Sequence, residues 1–255
     1  MLRNRIIPCL LIQEEKLVKT FKFGSTKYVG DYLNAIKIFN EKEVDELIVL
    51  DISASKNNQK PNLKLIERFS SECFMPVCYG GGVNSFDQAK EIFKLGIEKI
   101  CIQTSALDDI SIIKKISNFF GSQSVVISID IKKNWLGKYK LYRSQNKKIE
   151  KLDWEVFLKN AVESGAGEIL INCVDNDGTM EGMNLEIIKA ASKLSTVPII
   201  SMGGVGHLKD IKNAINSGAN AVAAGSFFVF QGPHRAVLIS YPKDKILQEL
   251  KKTYE

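Results

Sequence analysis

Two stretches of this chain occur twice at an offset of 122 residues, and that repetition restricts the fold. "VDELIVLDISAS" from Val44 resembles "AGEILINCVDND" from Ala166, and "MPVCYGGGVNSF" from Met75 resembles "VPIISMGGVGHL" from Val197. The same offset sets Gln103-Thr104-Ser105 against Gly225-Ser226-Phe227. Solenoid repeats recur every ~20–50 residues, so a period this long marks a duplicated half-domain. Each half carries short β-branched runs separated by stretches of helical period, the pattern of parallel strands joined by crossover helices.

Eight such runs are present: "RIIPCLLI", "ELIVLDI", "PVCYG", "KICIQT", "VVISIDI", "EILINCV", "PIISMG" and "AVAAG". Helices are expected near 31–42, 61–71, 85–95, 109–119, 154–164, 184–194 and 207–217, with a last one near 243–252. Eight strand–helix units predict an α/β fold, a (β/α)8 TIM barrel of two half-barrels forming a single domain over 1–255. An open dinucleotide-binding sheet would place a glycine fingerprint after its first strand, and none is there.

Composition narrows the function classes. With 45% hydrophobic and 25% charged residues, the chain reads as an ordinary globular protein, and no apolar run is long enough to span a bilayer. Pro8 interrupts the first apolar run and no small-residue cleavage site follows, so "MLRNRIIPCLLI" reads as a first strand in a cytoplasmic protein. The net charge of +6 is scattered among acidic residues, which argues against nucleic-acid binding. One basic, aromatic-rich segment, "KKNWLGKYKLYRSQNKKIEK" from 132 to 151, reads as a solvated hairpin or as a flap over an anionic ligand. Cys9, Cys73, Cys78, Cys101 and Cys173 have no CxxC spacing, and His207 and His234 are isolated, so no metal or disulfide framework is expected. No cofactor is implied.

The chemistry-bearing residues cluster where strands end. Gly80-Gly81-Gly82 follows the third strand and Gly203-Gly204 the seventh; such turns free backbone N–H groups for phosphate oxygens. Thr104 and Ser226 in the following loops add hydroxyl donors. Two equivalent glycine–hydroxyl pairs, half a barrel apart, predict anion sites on opposite sides of the barrel mouth and a ligand phosphorylated at both ends. Asp130 ends the fifth strand and is the candidate acid or base. Asp51 either orients its loop or touches ligand, and Asp177 and Gly178 are placed to hold a phosphate-side loop. At the opposite ends of the strands stand Arg5, Glu46, Lys99 and Glu168, a ring of ion pairs that either closes the floor or gates it.

Taken together, "RIIPCL", "DELIVLDISAS", "GGGV", "FGSQSVVISID", "GAGEIL", "DNDGT", "PIISMGGVG" and "AVAAGSFF" resemble the cyclase family of imidazole glycerol phosphate synthase, over about residues 1–230. The resemblance implies a barrel that docks a glutaminase on its floor and passes ammonia to its top face. There a bisphosphorylated ribulose substrate is cyclised and cleaved. It implies that Arg5, Glu46, Lys99 and Glu168 form the ammonia gate. Gly82, Thr104, Asp177, Gly178, Gly204, Gly225 and Ser226 fall on the phosphate sites, and Lys19 matches a mobile first-loop lysine.

One position departs. The family uses an aspartate at the end of strand one as general base and another at the end of strand five as general acid. The second is Asp130, whereas Leu11 stands at the first. Losing a general base removes a factor of about 100 to 10,000 in rate. Glu14 and Glu15 are the nearby candidate substitutes. The tail "FFVFQGPHRAVLISYP" also departs from the family and resembles a cyclase-like branch associated with acetamidino sugars of lipopolysaccharide or flagellin. In that branch, barrel and glutaminase supply ammonia to a separate sugar amidotransferase. Three readings result: ammonia delivery for a surface-sugar precursor, a true cyclase of histidine biosynthesis, and a non-catalytic conduit or scaffold.

Overall fold

The computed structural model describes residues 4–242 and residue 250. Among these residues eight parallel strands close on themselves: β1 (Arg5–Gln13), β2 (Leu47–Asp51), β3 (Val77–Gly80), β4 (Lys99–Ile102), β5 (Val125–Lys133), β6 (Glu168–Cys173), β7 (Ile199–Met202) and β8 (Ala221–Ala224). Closure comes from β1, which pairs in parallel with β2 (Cys9 opposite Ile48) and with β8 (Arg5 opposite Ala221). The protein is therefore a (β/α)8 barrel.

Period-2 alternation along each strand builds two cores. Outward residues such as Ile6, Leu47, Val49 and Ile169 join the helices in one buried cluster. Inward residues, among them Ile7, Cys9, Leu11, Ile48, Cys101, Val126, Leu170 and Met202, form a second one inside the barrel. Among the described residues the longer helices, which cover the barrel, are α1 (Tyr32–Glu41), α2 (Leu63–Ser70), α3 (Phe86–Lys94), α4 (Ser111–Phe120), α5 (Trp154–Glu163), α6 (Leu185–Leu194) and α7 (Leu208–Asn216), with short helical turns at Thr104–Asp108 and Ser226–Val229. Most begin where a polar cap satisfies a free amide: Asp31, Asn62, Ser85, Asp153 and Asn184 each accept from the first turn. His207 starts α7, with Asp210 returning a bond to its amide. The helix expected near 243–252 lies outside the described residues, apart from Leu250.

The differences from the sequence reading lie in the loops. Strand four ends at Ile102 rather than Thr104, because Gln103 precedes a short helix, Thr104–Asp108. The first loop is an antiparallel hairpin, Lys16–Thr20 with Thr26–Gly30, that pairs back onto β1 with Leu11 opposite Val18. The basic segment is also a hairpin: Tyr139–Arg143 folds back on β5, setting Tyr142 opposite Asp130. The tail forms a third, Phe230–Gln231 with Ala236–Val237. The five cysteines are free thiols, and no helix among the described residues is long and apolar enough to cross a membrane.

Candidate active site

The strand C-termini open into a cavity of about 430 Å³ lined by Leu11, Leu50, Asp51, Gly82, Gln103, Thr104, Asp130, Asn172, Asp177 and Met202, among others. Asp130 reaches it from β5 and is 5% exposed. Its carboxylate accepts from Gln103 Nε2 at 2.8 Å and from Ser128 Oγ at 3.2 Å. Burial lifts its pKa to about 7, against the pull of those hydrogen bonds. A carboxyl group half-protonated near neutrality suits a general acid.

Gln103 joins that acid to the basic hairpin. Its Nε2 also donates to the Tyr142 carbonyl at 3.2 Å, and its Oε1 accepts from the Ser144 amide at 3.1 Å and hydroxyl at 2.8 Å. Beyond Ser144, Gln145 and Lys147 line the cavity, and Gln145 bridges to Asn58 of the loop after β2 at 2.8 Å. The segment 132–151 therefore covers part of the mouth, as a flap would.

Across the cavity the wall is apolar. Leu11 packs among Cys9, Val18, Met202 and the partly buried Leu50, and is 8% exposed. The two nearby glutamates part company: Glu14 lines the cavity, whereas Glu15 turns outward to Asn62 at 3.2 Å and Arg68 at 3.7 Å. Asp51 holds its own loop, accepting from Ser53 N and Oγ and from Ala54 N, while also lining the cavity.

The two expected anion sites differ in form. Gly82 and Thr104 open directly on the large cavity, beside Ser55, Lys56 and Lys147, with the Gly82 amide donating to Ser55 Oγ at 3.1 Å. Gly204, Gly225 and Ser226 instead surround a space of about 30 Å³ that also touches Lys19, Asp177 and Gly178. Lys19 fills much of it. The side chain is 4% exposed, its ammonium donates to the Cys9 carbonyl at 2.5 Å, and a Cβ on Gly225 would lie 2.6 Å from Nζ. Burial lowers the Lys19 pKa, so an arriving phosphate would strengthen its charged form. Asp177 holds that first-loop hairpin, accepting from Thr20 Oγ1 at 2.6 Å, with its backbone carbonyl taking the Lys22 amide at 2.9 Å. Arg235 of the tail hairpin donates to the Gly178 and Thr179 carbonyls at 3.0 and 2.8 Å, bracing the loop after β6 from outside.

At the floor the four charges meet in a closed ring. Arg5 contacts Glu46 at 2.5 Å and Glu168 at 2.7 Å, and Lys99 contacts the same two at 3.0 and 3.2 Å. Between floor and cavity the interior is mainly apolar, as Ile7, Ile48, Val126 and Leu170 show. Among the described residues no cluster of His, Cys, Asp and Glu could hold a metal.

Residues 5–234 match the family model for histidine biosynthesis proteins. The chain belongs to the histidine biosynthesis protein family. Within it, the chain is 50% identical to the "Putative imidazole glycerol phosphate synthase subunit HisF" of Leptospira borgpetersenii, covering 95% of this chain and 96% of the relative. It is 49% identical to the "Putative imidazole glycerol phosphate synthase subunit hisF2" of Pseudomonas aeruginosa, covering 95% and 97%. The "Imidazole glycerol phosphate synthase subunit HisF" of Exiguobacterium sibiricum is 36% identical, with 89% and 91% covered. This is a HisF-like barrel.

Several groups that shape this HisF-like site were not singled out from sequence. Gln103 and Arg235 act through contacts made far along the chain, which no local pattern encodes. Asn172 had a signal: at the 122-residue offset it stands where the other half has Leu50.

Proposed function

We propose that this chain is the barrel subunit of a glutamine amidotransferase. A glutaminase docked on the floor releases ammonia through the Arg5–Glu46–Lys99–Glu168 ring, and the apolar interior passes it to the mouth cavity. A phosphorylated acceptor binds there between the Gly82–Thr104 and Gly204–Ser226 loops, with Lys19 supplying the positive charge. The destination is acetamidino modification of a surface-sugar precursor through a partner amidotransferase. Leu11 carries that last step: the ammonia path is kept while an apolar side chain, packed into the wall, stands in the base's position.

A second reading, a lyase-type cyclase in histidine biosynthesis, is favoured by Glu14 lining the same cavity as Asp130, whose pKa of about 7 suits the acid role. The test is to purify the chain with its glutaminase and supply glutamine with either of two acceptors. One is the bisphosphorylated ribulose substrate; the other is the N-acetyl sugar with its amidotransferase and ATP, which activates the amide oxygen so that it can leave as ammonia adds. Amidation only of the sugar supports the first reading. Cyclisation at the rate of an ordinary family enzyme overturns it.

A further inference from the structure

The basic hairpin holds a tryptophan out into water on a fixed turn. Trp135 is 90% exposed and its neighbour Leu136 57%, so neither serves the core. The turn beneath them is closed by the Asn134 side chain, whose Oδ1 accepts the Leu136 amide at 3.0 Å and the Lys138 amide at 2.9 Å. The Asn134 amide donates to the Lys138 carbonyl, and the Gly137 amide to the Asn134 carbonyl, both at 2.9 Å. Gly137, with φ of +74°, supplies the left-handed residue such a turn needs. The apolar tip is thus held in place before anything meets it, which spares a partner the cost of ordering it.

The first-loop hairpin stands beside it with the same character. Phe21 is 45% exposed and Tyr28 62%. The loop after β6 ties the two hairpins together, since Asp175 Oδ2 accepts the Lys133 amide at 2.8 Å and the Asp177 carbonyl takes the Lys22 amide at 2.9 Å. The rings of Phe23 and Tyr142 meet between them at 6.3 Å. Both hairpins reach the cavity, one through Phe23 and the other through Gln145 and Lys147. Whatever sits on them covers the mouth.

Charge identifies the occupant. No acidic residue occurs from 16 to 30 or from 131 to 149, and exposed Lys22, Lys27, Lys133 and Lys138 flank the four apolar side chains. Aromatic anchors inside a rim of one sign fit a protein surface with an apolar pocket and an acidic border. A specific interface takes about 800 Å² from each partner, more than one hairpin tip offers, so both hairpins are engaged.

We propose that these two hairpins dock the partner amidotransferase over the barrel mouth, with Trp135 as the central anchor and the lysines facing acidic residues of the partner. This rests on the ammonia-delivery reading and names the surface through which delivery occurs. Ammonia that left an open mouth would take a proton from water and lose its nucleophilic lone pair. A receiving enzyme seated on the rim excludes that water.

The test uses the complex of this chain with its glutaminase, the chain alone carrying 5-fluorotryptophan. The chain has two tryptophans: the Trp135 resonance is assigned by its absence in Trp135→Ala, and Trp154, 4% exposed, is the internal reference. Titration with the sugar amidotransferase should shift Trp135 saturably and leave Trp154 in place. Trp135→Ala, its folding checked by thermal midpoint, should bind the amidotransferase about thirtyfold more weakly, the usual loss at a central aromatic anchor. Lys138→Glu should slow association by about tenfold, a difference that added salt narrows. An unmoved Trp135 resonance, or parental affinity in Trp135→Ala, overturns the proposal. Vesicles of phosphatidylcholine and phosphatidylglycerol are the second titrant; a response of Trp135 to vesicles and none to the amidotransferase overturns it in favour of a membrane. Glutamine-driven amidation of the sugar separates this proposal from the reading beneath it. Amidation at parental efficiency in Trp135→Ala overturns the docking surface and leaves ammonia delivery standing. A saturable Trp135 shift without amidation by the parent supports the docking surface and ends the delivery reading.

Discussion

Gln103 donates to Asp130 at 2.8 Å while its carbonyl oxygen accepts both the amide and the hydroxyl of Ser144. The acid and the segment covering the cavity therefore share one carboxamide. Removing it takes a donor from the ionised form of Asp130, which raises the pKa further above the ordinary carboxylate range. In Gln103→Leu the pH dependence of turnover moves to alkaline pH by about one unit. At the same time, proteolysis within 132–151 accelerates. A profile that stays in place while overall activity falls would reduce Gln103 to a packing residue.

Asp130 also leaves a signature in stability. Its pKa of about 7 lies above the unfolded value, so the folded protein holds this proton more tightly than the unfolded chain does. Its contribution is most favourable in acid and is lost as pH rises from about 4 to about 7. Asp130→Asn removes the ionisable group. Denaturation at alkaline pH should show a gain of up to ~4 kcal/mol over the parent, shrinking toward zero near pH ~4. Acid-dependent catalysis should fall by about 100- to 10,000-fold in the same variant.

The floor ring predicts a separation of two activities. Glu46 is 2% exposed and pairs with both Arg5 and Lys99, so Glu46→Ala leaves two cations facing Glu168 alone. Breaking such a buried pair costs about 3–5 kcal/mol, visible as a lower denaturation midpoint. Transfer driven by glutamine should change markedly, while transfer from added ammonium should not. Unaltered glutamine-driven transfer with glutaminase still bound would show that the ring only closes the floor.

The barrel was legible because its signals are local and repeated. Strand-length apolar runs fix eight strands, and the 122-residue offset orders them into halves. Arg5, Glu46, Lys99 and Glu168 were readable for the same reason, since each begins or adjoins a strand at the same end. The loops were not. That Glu14 faces the cavity and Glu15 faces Arg68 depends on left-handed turns at both residues, with φ of 51° and 59°, which two adjacent glutamates do not announce. Nor does sequence show that Lys19, read as a mobile lysine, packs against Cys9.

The tail hairpin gives a test of that packing. Arg235 grips the carbonyls of Gly178 and Thr179, whose neighbour Asp177 holds Thr20 and thus the hairpin carrying Lys19. Arg235→Ala removes both bonds at a cost of about 1–3 kcal/mol to the local loop. Lys19 should then react faster with an amine-directed reagent, and inorganic phosphate should slow that reaction less than in the parent. Equal reactivity would show that the tail does not reach the site.

Leu11→Asp tests the largest departure from the family. The residue lies at the cavity wall opposite a buried acid and is 8% exposed, so a new carboxylate there is desolvated and lowers stability. It also returns a base to the end of β1. If the rest of the cyclase apparatus is intact, turnover of the bisphosphorylated ribulose substrate with ammonia should rise by about 100-fold or more, the usual contribution of a positioned base. If Glu14 already serves as base, the parent turns over well, Leu11→Asp adds little, and Glu14→Gln abolishes the reaction. The parent, Leu11→Asp and Glu14→Gln, compared at saturating ammonium, separate a base that is absent from a base three residues further along the loop.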